Sequence, residues 1–467
     1  MNLSMRLRGR NYTFKGLYDL MAKASEIKSG DRLAGLSADS ASERMAAKYL
    51  LSEVAVGSFV EQPAVPAERD LVTRRILEQL DTGISEEISS WNLGELRERL
   101  LEADATELIR LGKGLTSEAI AGVTRLMSNL DLISTAARMS PQATCRTTIG
   151  RPGTLSSRLQ PNHPTDDPDG ILASVMEGLS YASGDAMVGI NPNDDTVASV
   201  GRVMDRVSEF VHDQLQVPTQ VCVLAHASTQ MEAIRRGARC DLLFQSISGT
   251  QKGCEAFGIS PTLLQEAGDA LRSGRQDLGP NVHYFETGQG SELSSEAHEG
   301  IDQLTLESRC YGLARTYSPF LVNSVVGFIG PEYLYDGRQL IRAGLEDHFM
   351  GKLHGLPMGV DVCHTNHMDA DQNDLENLAT LLTASGCYYY MGIPMGDDVM
   401  LSYQTTSFHD IATLRQIYGR RPVAEFEAWM EFAGILSEGR LTALAGDPSF
   451  LHPARRNSWT ESVTSRS

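Results

Sequence analysis

The stretch His283-Tyr-Phe-Glu-Thr-Gly-Gln-Gly290 joins a short apolar run to one carboxylate and two glycines. This pattern predicts a β-strand that ends at Glu286, directly before a loop. In sheets built from strand-helix units, the carboxyl ends of the strands face the ligand, and glycine lets the backbone approach it closely. A single strand-end glutamate can equally cap a helix or face solvent. The interpretation therefore depends on whether other strands end in the same way.

Runs typical of β-strands alternate with amphipathic helices from Thr147 onward. The predicted strands are residues 147–150, 185–191, 220–226, 241–248, 283–286, 320–328, 355–361 and 387–393. Predicted helices between them include residues 195–215, 228–236 and 338–350. Parallel strands need crossover helices, and eight such units close into a packed barrel. The sequence therefore predicts an α/β fold with a (β/α)8 TIM barrel, and a doubly wound open sheet is the alternative.

The regions flanking the barrel are predicted to be helical. Residues 1–140 form a mainly helical N-terminal region, in which Ser40 and Asn92 each precede a glutamate by three residues, the pattern of a capping box. Residues 141–420 form the catalytic barrel. Residues 421–467 form a short C-terminal extension, with a helix over 425–435 and a polar tail from 452 that we expect to be frayed.

Composition predicts a soluble protein of the cytoplasm. The 467 residues are 41% hydrophobic and 22% charged, and the formal charge of −19 argues against nucleic acid or an anionic membrane as the main partner. The longest apolar segment, residues 319–330, is too short to span a bilayer, and the basic N-terminus lacks the apolar core of a secretory signal. The seven cysteines show no C-x-x-C spacing, which indicates reduced thiols.

Polar groups follow several of the predicted strands. They are Arg158 and Gln160, Asn191 before Pro192, Gln245 before Ser246, Glu286, and Asp361. Two carboxylates, a guanidinium and amides at equivalent places in the repeat predict a pocket for a small substrate that carries an ammonium and a hydroxyl group. Each group taken alone is more easily explained as structural; the joint pattern favours function.

Other motifs carry weaker predictions. His364 and His367, near Asp361, Asp369 and Asp371, could bind a metal, although a polar loop with a helix cap explains the same residues. The segment 288–290 lacks the third glycine of a dinucleotide fingerprint. No nucleophile motif, P-loop or strand-end lysine accompanies the polar groups. Difficult chemistry is therefore expected from a cofactor or a metal.

Five longer motifs are specific enough to indicate a family. They are Thr148-Ile-Gly-Arg-Pro-Gly-Thr154, Arg158-Leu-Gln-Pro-Asn162, Phe285-Glu-Thr-Gly-Gln-Gly-Ser291, Val326-Gly-Phe-Ile-Gly-Pro-Glu-Tyr-Leu-Tyr335 and Ala343-Gly-Leu-Glu-Asp-His-Phe-Met-Gly-Lys352. Together they resemble the large, catalytic subunit of ethanolamine ammonia-lyase. The similarity runs from about residue 2 to 450. It implies a (β/α)8 barrel, adenosylcobalamin with its own base on cobalt, a small-subunit partner, and large subunits paired as dimers in a hexameric core. It also implies radical deamination of ethanolamine to acetaldehyde and ammonia.

The resemblance implies a role for each matching position. Substrate-binding positions are Arg158, Gln160, Asn191, Glu286, Asp361, Phe328 and Met391, of which Arg158, Glu286 and Asp361 are also expected to be catalytic. Cobalamin-contacting positions are Pro192, Gln245, Ser294 and Met400, and no side chain is expected to bind cobalt directly. Two alternatives remain: a metal-dependent barrel lyase or hydrolase that uses Asp361, His364 and His367, and a disfavoured non-enzymatic scaffold. The expected location is the cytoplasm, with a bacterial microcompartment left open.

Overall fold

A computed structural model describes residues 3–273, 275–398 and 400–451 of the chain. The chain divides into two compact units, and each is described separately. The first comprises Met1–Pro141, Ser246–Pro261 and Phe285–Cys387. The second comprises Gln142–Gln245, Thr262–Tyr284 and Tyr388–Ser467. The elements alternate between strands and helices after the N-terminal region, which confirms a mixed α/β fold.

The strands, in chain order, are β1 Ser4–Leu7, β2 Arg10–Thr13, β3 Ala143–Thr144, β4 Thr148–Ile149, β5 Ser156–Leu159, β6 Met187–Ile190, β7 Val221–Val223, β8 Leu243–Ser246, β9 His283–Thr287, β10 Leu321–Gly327, β11 Met358–Thr365, β12 Tyr389–Gly392, β13 Asp397–Asp398, β14 Tyr403–Gln404, β15 Leu436–Ser437 and β16 Arg440–Leu441.

The helices are α1 Leu17–Ala24, α2 Ser29–Leu33, α3 Ala41–Ser52, α4 Ser58–Glu61, α5 Leu71–Glu78, α6 Thr82–Ile88, α7 Leu93–Glu102, α8 Ala105–Gly114, α9 Ser117–Thr124, α10 Asn129–Ala136, α11 Pro168–Ser180, α12 Val197–Ser208, α13 Ala227–Arg235, α14 Gln251–Ala256, α15 Pro261–Arg272, α16 Ser291–Ser294, α17 Gln303–Arg315, α18 Gly337–Leu353, α19 Gln372–Ala384, α20 Phe408–Tyr418 and α21 Ala424–Phe432. A π-helical turn, Glu209–Gln214, extends α12, and 3-10 turns occur at Pro394–Gly396 and Pro448–Leu451.

The N-terminal part of the first unit is helical, as its capping signals predict. Ser40 accepts a hydrogen bond from the backbone N–H of Glu43 at the start of α3. Asn92 and Glu95 form a complete capping box at α7, which satisfies two backbone donors that a helix start leaves open. The β1–β2 hairpin precedes these helices and was not predicted.

Parallel strands position the polar groups that the sequence singled out. In the second unit, β5 lies between β12 and β6, and β7 follows β6, all in parallel register. In the first unit, β10 and β11 are parallel, and Val325 lies opposite Asp361. All residues of β5, β6, β7 and β12 are buried, as expected when helices cover both faces of a parallel sheet.

One predicted strand forms but does not join the parallel series. The run 147–150 yields only β4, which pairs antiparallel with β3, whereas the strand parallel to β6 is β5. Its sequence, Ser156-Ser-Arg-Leu159, is too polar to predict burial, yet all four residues are buried. The other seven predicted runs each contain a strand.

The ends of several predicted helices also shift. The predicted helix over 195–215 begins at Val197 and changes to π-helical turns after Ser208. The C-terminal helix is α21, followed by the β15–β16 hairpin. The polar tail from residue 452 lies outside the described residues. No helix in the described part of the chain has the length and apolar character needed to cross a membrane.

Candidate active site

Arg158 is a buried cation within β5 of the second unit. Its side chain is fully buried, its Nε donates to the carbonyl oxygen of Gly189 at 3.2 Å, and its Nη1 donates to the Tyr284 hydroxyl at 3.3 Å. The guanidinium also lies 5.9 Å from the centre of the Tyr284 ring, a cation–π distance. A Cβ atom at Gly189 would lie 2.5 Å from the Nε of Arg158, so any other residue there would force the Arg158 side chain to shift.

The amide of Gln160 is oriented by its own hydrogen bonds. Its Nε2 donates to Oδ2 of Asp398 at 2.7 Å and to the Tyr403 hydroxyl at 3.1 Å. The opposite atom, Oε1, is buried and has no hydrogen-bond partner among the described residues. Because both N–H groups are engaged, the amide presents an acceptor and not a donor. A ligand with an N–H or O–H group is therefore the natural partner of this atom.

Asp398 contacts the candidate site residue Gln160 and was not predicted from the sequence. Its Oδ2 also accepts from Nδ2 of Asn162 at 2.8 Å, and its Oδ1 accepts from the backbone N–H groups of Met400 at 3.0 Å and Leu401 at 2.9 Å. One buried carboxylate therefore holds Gln160, Asn162 and the loop that carries Met400. The position of Asp398 after β12 could have indicated it from the sequence, because loops at the carboxyl ends of strands carry active-site residues.

The remaining candidates in the second unit lie near other strand ends. Asn191 directly follows β6, is half-buried, and donates from its backbone N–H to Oδ1 of Asn162 at 2.8 Å. Gln245 is buried in β8, where its Oε1 accepts from the backbone N–H of Ala227 at 2.8 Å. Met391 is buried in β12, whereas Pro192 and Met400 are half-buried in loops.

Glu286 lies in β9 and is half-buried. Asn323, on β10, donates from Nδ2 to Oε1 of Glu286 at 3.4 Å. The Oδ1 of Asn323 is buried with no hydrogen-bond partner among the described residues. Asparagine inside an apolar strand was the sequence signal for this residue, because buried polar groups normally have partners. Asp361 lies on β11 and is 1% exposed.

Buried carboxylates support this part of the first unit. Thr287 donates to Glu307, while Asp347 accepts from Nε2 of Gln289 at 2.6 Å and from the Ser324 hydroxyl at 2.7 Å. Burial raises the pKa of Asp347 to about 7, although both hydrogen bonds lower it. Burial and the neighbouring Asp347 raise the pKa of Glu307 well above its usual range. Both carboxyls therefore favour the protonated form more than free side chains do.

Two candidates are exposed, and a third lies in a strand and not in a loop. Ser294 is exposed, and its hydroxyl donates to the carbonyl oxygen of Ser291 at 2.8 Å. Phe328 is 38% exposed. His364, expected in a loop, lies in β11, so that expectation was wrong; its Nδ1 lies 3.0 Å from the carbonyl oxygen of Thr365. The polar sequence around it hid the length of this strand.

Comparison with known proteins identifies the family of this chain. The family model for the ethanolamine ammonia lyase large subunit matches residues 12–444. The ethanolamine ammonia-lyase large subunit of Escherichia coli (strain K12) is 52% identical over 451 residues, which is 96% of this chain and 99% of that protein. The same-named protein of Salmonella typhimurium is equally similar. This chain belongs to the ethanolamine ammonia-lyase large-subunit family.

Membership confirms the resemblance carried by the five sequence motifs and places the chain among the carbon–nitrogen lyases. It does not favour the metal-dependent alternative. Within the described ranges, no group of three or more His, Cys, Asp or Glu side chains is arranged to hold a metal ion. Within the second unit, the structure brings Gln160, Asn162 and Asp398 together; within the first, it brings together Glu286 and Asn323.

Proposed function

We propose that this chain is the catalytic subunit of an enzyme that uses adenosylcobalamin to convert ethanolamine into acetaldehyde and ammonia. The match over 99% of the length of its relatives carries this proposal. The proposal extends to the (β/α)8 barrel, formed by residues 141–420 between the N-terminal helical region and the C-terminal extension. The alternation of parallel strands and helices supports that architecture.

The residues assigned to the cofactor suit a large ligand with apolar and amide surfaces. Pro192 and Met400 are half-buried and offer apolar contact, and Gln245 contributes an amide. Ser294 contributes an exposed hydroxyl group. Adenosylcobalamin, when bound beside these residues, would supply an organic radical for hydrogen-atom exchange with the substrate. The role of the chain is to bind, orient and protect the substrate during this exchange.

Gln160 and Asp361 are proposed to hold the amino end of ethanolamine. The Oε1 of Gln160 is a buried acceptor without a partner among the described residues, which suits an ammonium N–H donor. Asp361 supplies a buried negative charge, and charge-assisted hydrogen bonds of this kind are short and strong. Met391, buried, and Phe328 are proposed to give the carbon chain apolar contacts.

Arg158 and Asn191 are proposed to hold the hydroxyl end. Arg158 is a fixed, permanently charged donor, because Gly189 and Tyr284 orient its guanidinium. Glu286 is proposed to contact both ends of the substrate and to act as the acid–base group. Charges that are oriented before the reaction stabilise a migrating amino group without further reorganisation.

The names of the relatives describe a large subunit, and we propose that this chain pairs with a small subunit that completes the cofactor site. We further propose dimers of the large subunit within a hexameric core, located in the cytoplasm and open to packaging in a microcompartment. Co-expression of both subunits followed by measurement of molecular mass tests the assembly. Recovery of the large subunit alone and without its partner would contradict it.

The decisive experiment supplies the purified complex with adenosylcobalamin and ethanolamine. We expect release of ammonia and acetaldehyde, together with a radical signal in electron paramagnetic resonance that requires both cofactor and substrate. Activity that is lost with a chelator and does not need cobalamin would overturn the proposal in favour of the metal-dependent reaction.

A further inference from the structure

The first unit contains a cleft between its N-terminal helices and the start of α18, with a volume of about 820 Å³, within the range of small-molecule sites. We call it the basic cleft. Four separate segments contribute its lining, which places charged side chains around a concave surface. The lining residues that carry the inference are Lys28, Arg32, Arg44, Lys48, Arg338 and Arg342.

Positive charge is in excess in the basic cleft. Two carboxylates, Glu26 and Asp336, line it beside the six cations. A third carboxylate, the buried Glu346, binds Lys28 and Arg342, each at 2.7 Å. Three carboxylates thus oppose six cations, on a chain whose formal charge is −19. A cationic cleft on an acidic protein concentrates anions locally.

Two of the carboxylates are held ionised by the cations around them. Burial alone would raise the pKa of Glu346, but Lys28 and Arg342 lower it to about 2. Burial also opposes ionisation of Glu26, yet Lys48 and Arg44 hold its pKa below the usual range. The excess of positive charge is therefore what remains after these internal pairs have formed.

Arg44 has a donor that its protein partner does not satisfy. Its Nε lies 3.5 Å from Oε2 of Glu26, whereas its Nη1 is buried and has no hydrogen-bond partner among the described residues. Arg338 is 94% exposed and lies 3.4 Å from Asp336. A buried donor without an acceptor is unfavourable, so an anion that reached Arg44 would satisfy it.

The N-terminal ends of two helices add to the positive electrostatic potential of the basic cleft. Ser128 and Asp336 line the cleft and cap the N-terminal ends of α10 and α18, where the helix dipole is positive. Apolar side chains lie beside the cations: Ile27 is 40% exposed, and Leu126 and Met127 also line the cleft. The ligand chemistry that fits both features is a phosphate group attached to an apolar ring or chain.

We propose that the basic cleft binds a phosphorylated organic metabolite through Arg44, Arg338 and the adjacent cations. Guanidinium groups bind phosphate or carboxylate oxygens in pairs, and the higher charge of a phosphate group matches the excess of cations in this cleft better than a single carboxylate does. The apolar strip formed by Ile27 and Leu126 contacts the organic part of the ligand. None of the lining residues belongs to the predicted substrate or cofactor positions.

Calorimetric titration of the full chain with three probes tests this proposal: ATP, tripolyphosphate and adenosine. We expect ATP to bind most tightly, tripolyphosphate at least threefold more weakly, and adenosine not at all, with the affinity for ATP falling as salt rises. Absence of ATP binding would overturn the proposal. Tripolyphosphate binding as tight as that of ATP would overturn the role of the apolar strip.

Substitutions of arginines in the basic cleft test whether ATP binds there. Arg44→Gln combined with Arg338→Gln should weaken ATP binding at least tenfold, and Arg338→Gln alone should weaken it several-fold. The single variant is informative even if the double variant folds poorly, because Arg338 is almost fully exposed. The matched control is Arg236→Gln, an exposed arginine outside the cleft, which should bind like the unmodified chain. Equal binding by Arg338→Gln and Arg236→Gln would overturn the assignment to this cleft.

Discussion

The two units hold their candidate site residues in different ways. In the second unit, the amide of Gln160 is fixed by a 2.7 Å bond to Asp398. In the first, Asn323 reaches Glu286 at 3.4 Å, near the long limit of a hydrogen bond. A group that only presents a lone pair benefits from being fixed in advance. A carboxylate that gains and loses a proton benefits from a contact that can tighten or lengthen as its charge changes.

The supporting carboxylates differ as well. Asp398 accepts from two side-chain amides and two backbone N–H groups, all at 3.0 Å or less. Asp347, which accepts hydrogen bonds from Gln289 and Ser324 in the first unit, has a pKa raised to about 7 by burial. The supporting carboxyl group in the second unit, Asp398, is therefore distinguished by its four hydrogen bonds, and Asp347 in the first unit by a raised pKa.

The largest expected effect comes from Glu286→Gln. The amide retains the shape of the side chain but cannot exchange a proton, so activity should fall by about 10²- to 10⁴-fold. Steady-state ammonia release measures this loss. Cobalamin binding, followed by absorbance, should be retained in the same variant. Wild-type turnover by this variant would show that Glu286 does not take part in the mechanism. The proposed difference between a fixed amide in the second unit and a proton-exchanging carboxyl group in the first would then be wrong.

Asp398→Asn is expected to have the next largest effect. The asparagine is neutral and can turn an N–H group toward Gln160, which frees the Gln160 amide to rotate. A misplacement of about 1 Å can cost roughly 100-fold in rate. We expect kcat for ethanolamine to fall by up to this factor and KM to rise. The matched control is Asp397→Asn, because Asp397 is the exposed neighbour of Asp398. If both variants behave alike, Asp398 has no positioning role.

Asp347→Asn tests whether the protonation of Asp347 makes the free energy of unfolding depend on pH. The unfolded chain ionises this carboxyl near pH 4, whereas the folded chain holds its proton up to about pH 7. The folded state then binds more protons in this window, so the free energy of unfolding falls as pH rises from about 4 to 7.

Asparagine mimics the protonated acid and should flatten that slope by at least about 1 kcal/mol across the window, since one pKa unit is worth about 1.4 kcal/mol. Urea unfolding at several pH values measures it. Asp397→Asn serves again as the control and should keep the slope of the unmodified chain. An unchanged slope in Asp347→Asn would show that Asp347 is not the group responsible.

Tyr403→Phe should have the smallest effect. It removes one neutral hydrogen bond to Gln160 and leaves the bond to Asp398 in place. A net hydrogen bond contributes about 1 kcal/mol, which corresponds to roughly fivefold in activity. A loss as large as that of Asp398→Asn would mean that the tyrosine, and not the carboxylate, orients the amide.

Much of the fold could be predicted because local patterns and packing agree. β9, β10 and β11 are apolar runs bounded by polar loops, and both capping signals begin helices. β5 could not be predicted because its burial depends on hydrogen bonds across long sequence separations. Ser157, for example, donates from its hydroxyl to Asp185 at 2.9 Å. Single-residue polarity carries no information about such partners.

The sequence predicted which types of residue form the candidate site. It did not predict the residues that hold them in place. Glu286 and Gln160 are recognisable as strand-end polar groups. Asp398 and Asn323 act on them through contacts that join positions far apart in the chain, at 2.7 Å from Gln160 and 3.4 Å from Glu286. Sequence spacing does not encode which buried amide faces which carboxylate. The orientation of the Gln160 amide, and hence its choice of ligand, required coordinates.

The glycine beside Arg158 limits how this protein can be redesigned. Even the methyl group of alanine at position 189 would lie 2.5 Å from the arginine, and other side chains would crowd it further. A library that randomises position 189 will therefore displace the Arg158 side chain in every clone that does not keep glycine. Redesign that is meant to keep Arg158 in place must leave Gly189 unchanged and alter other positions.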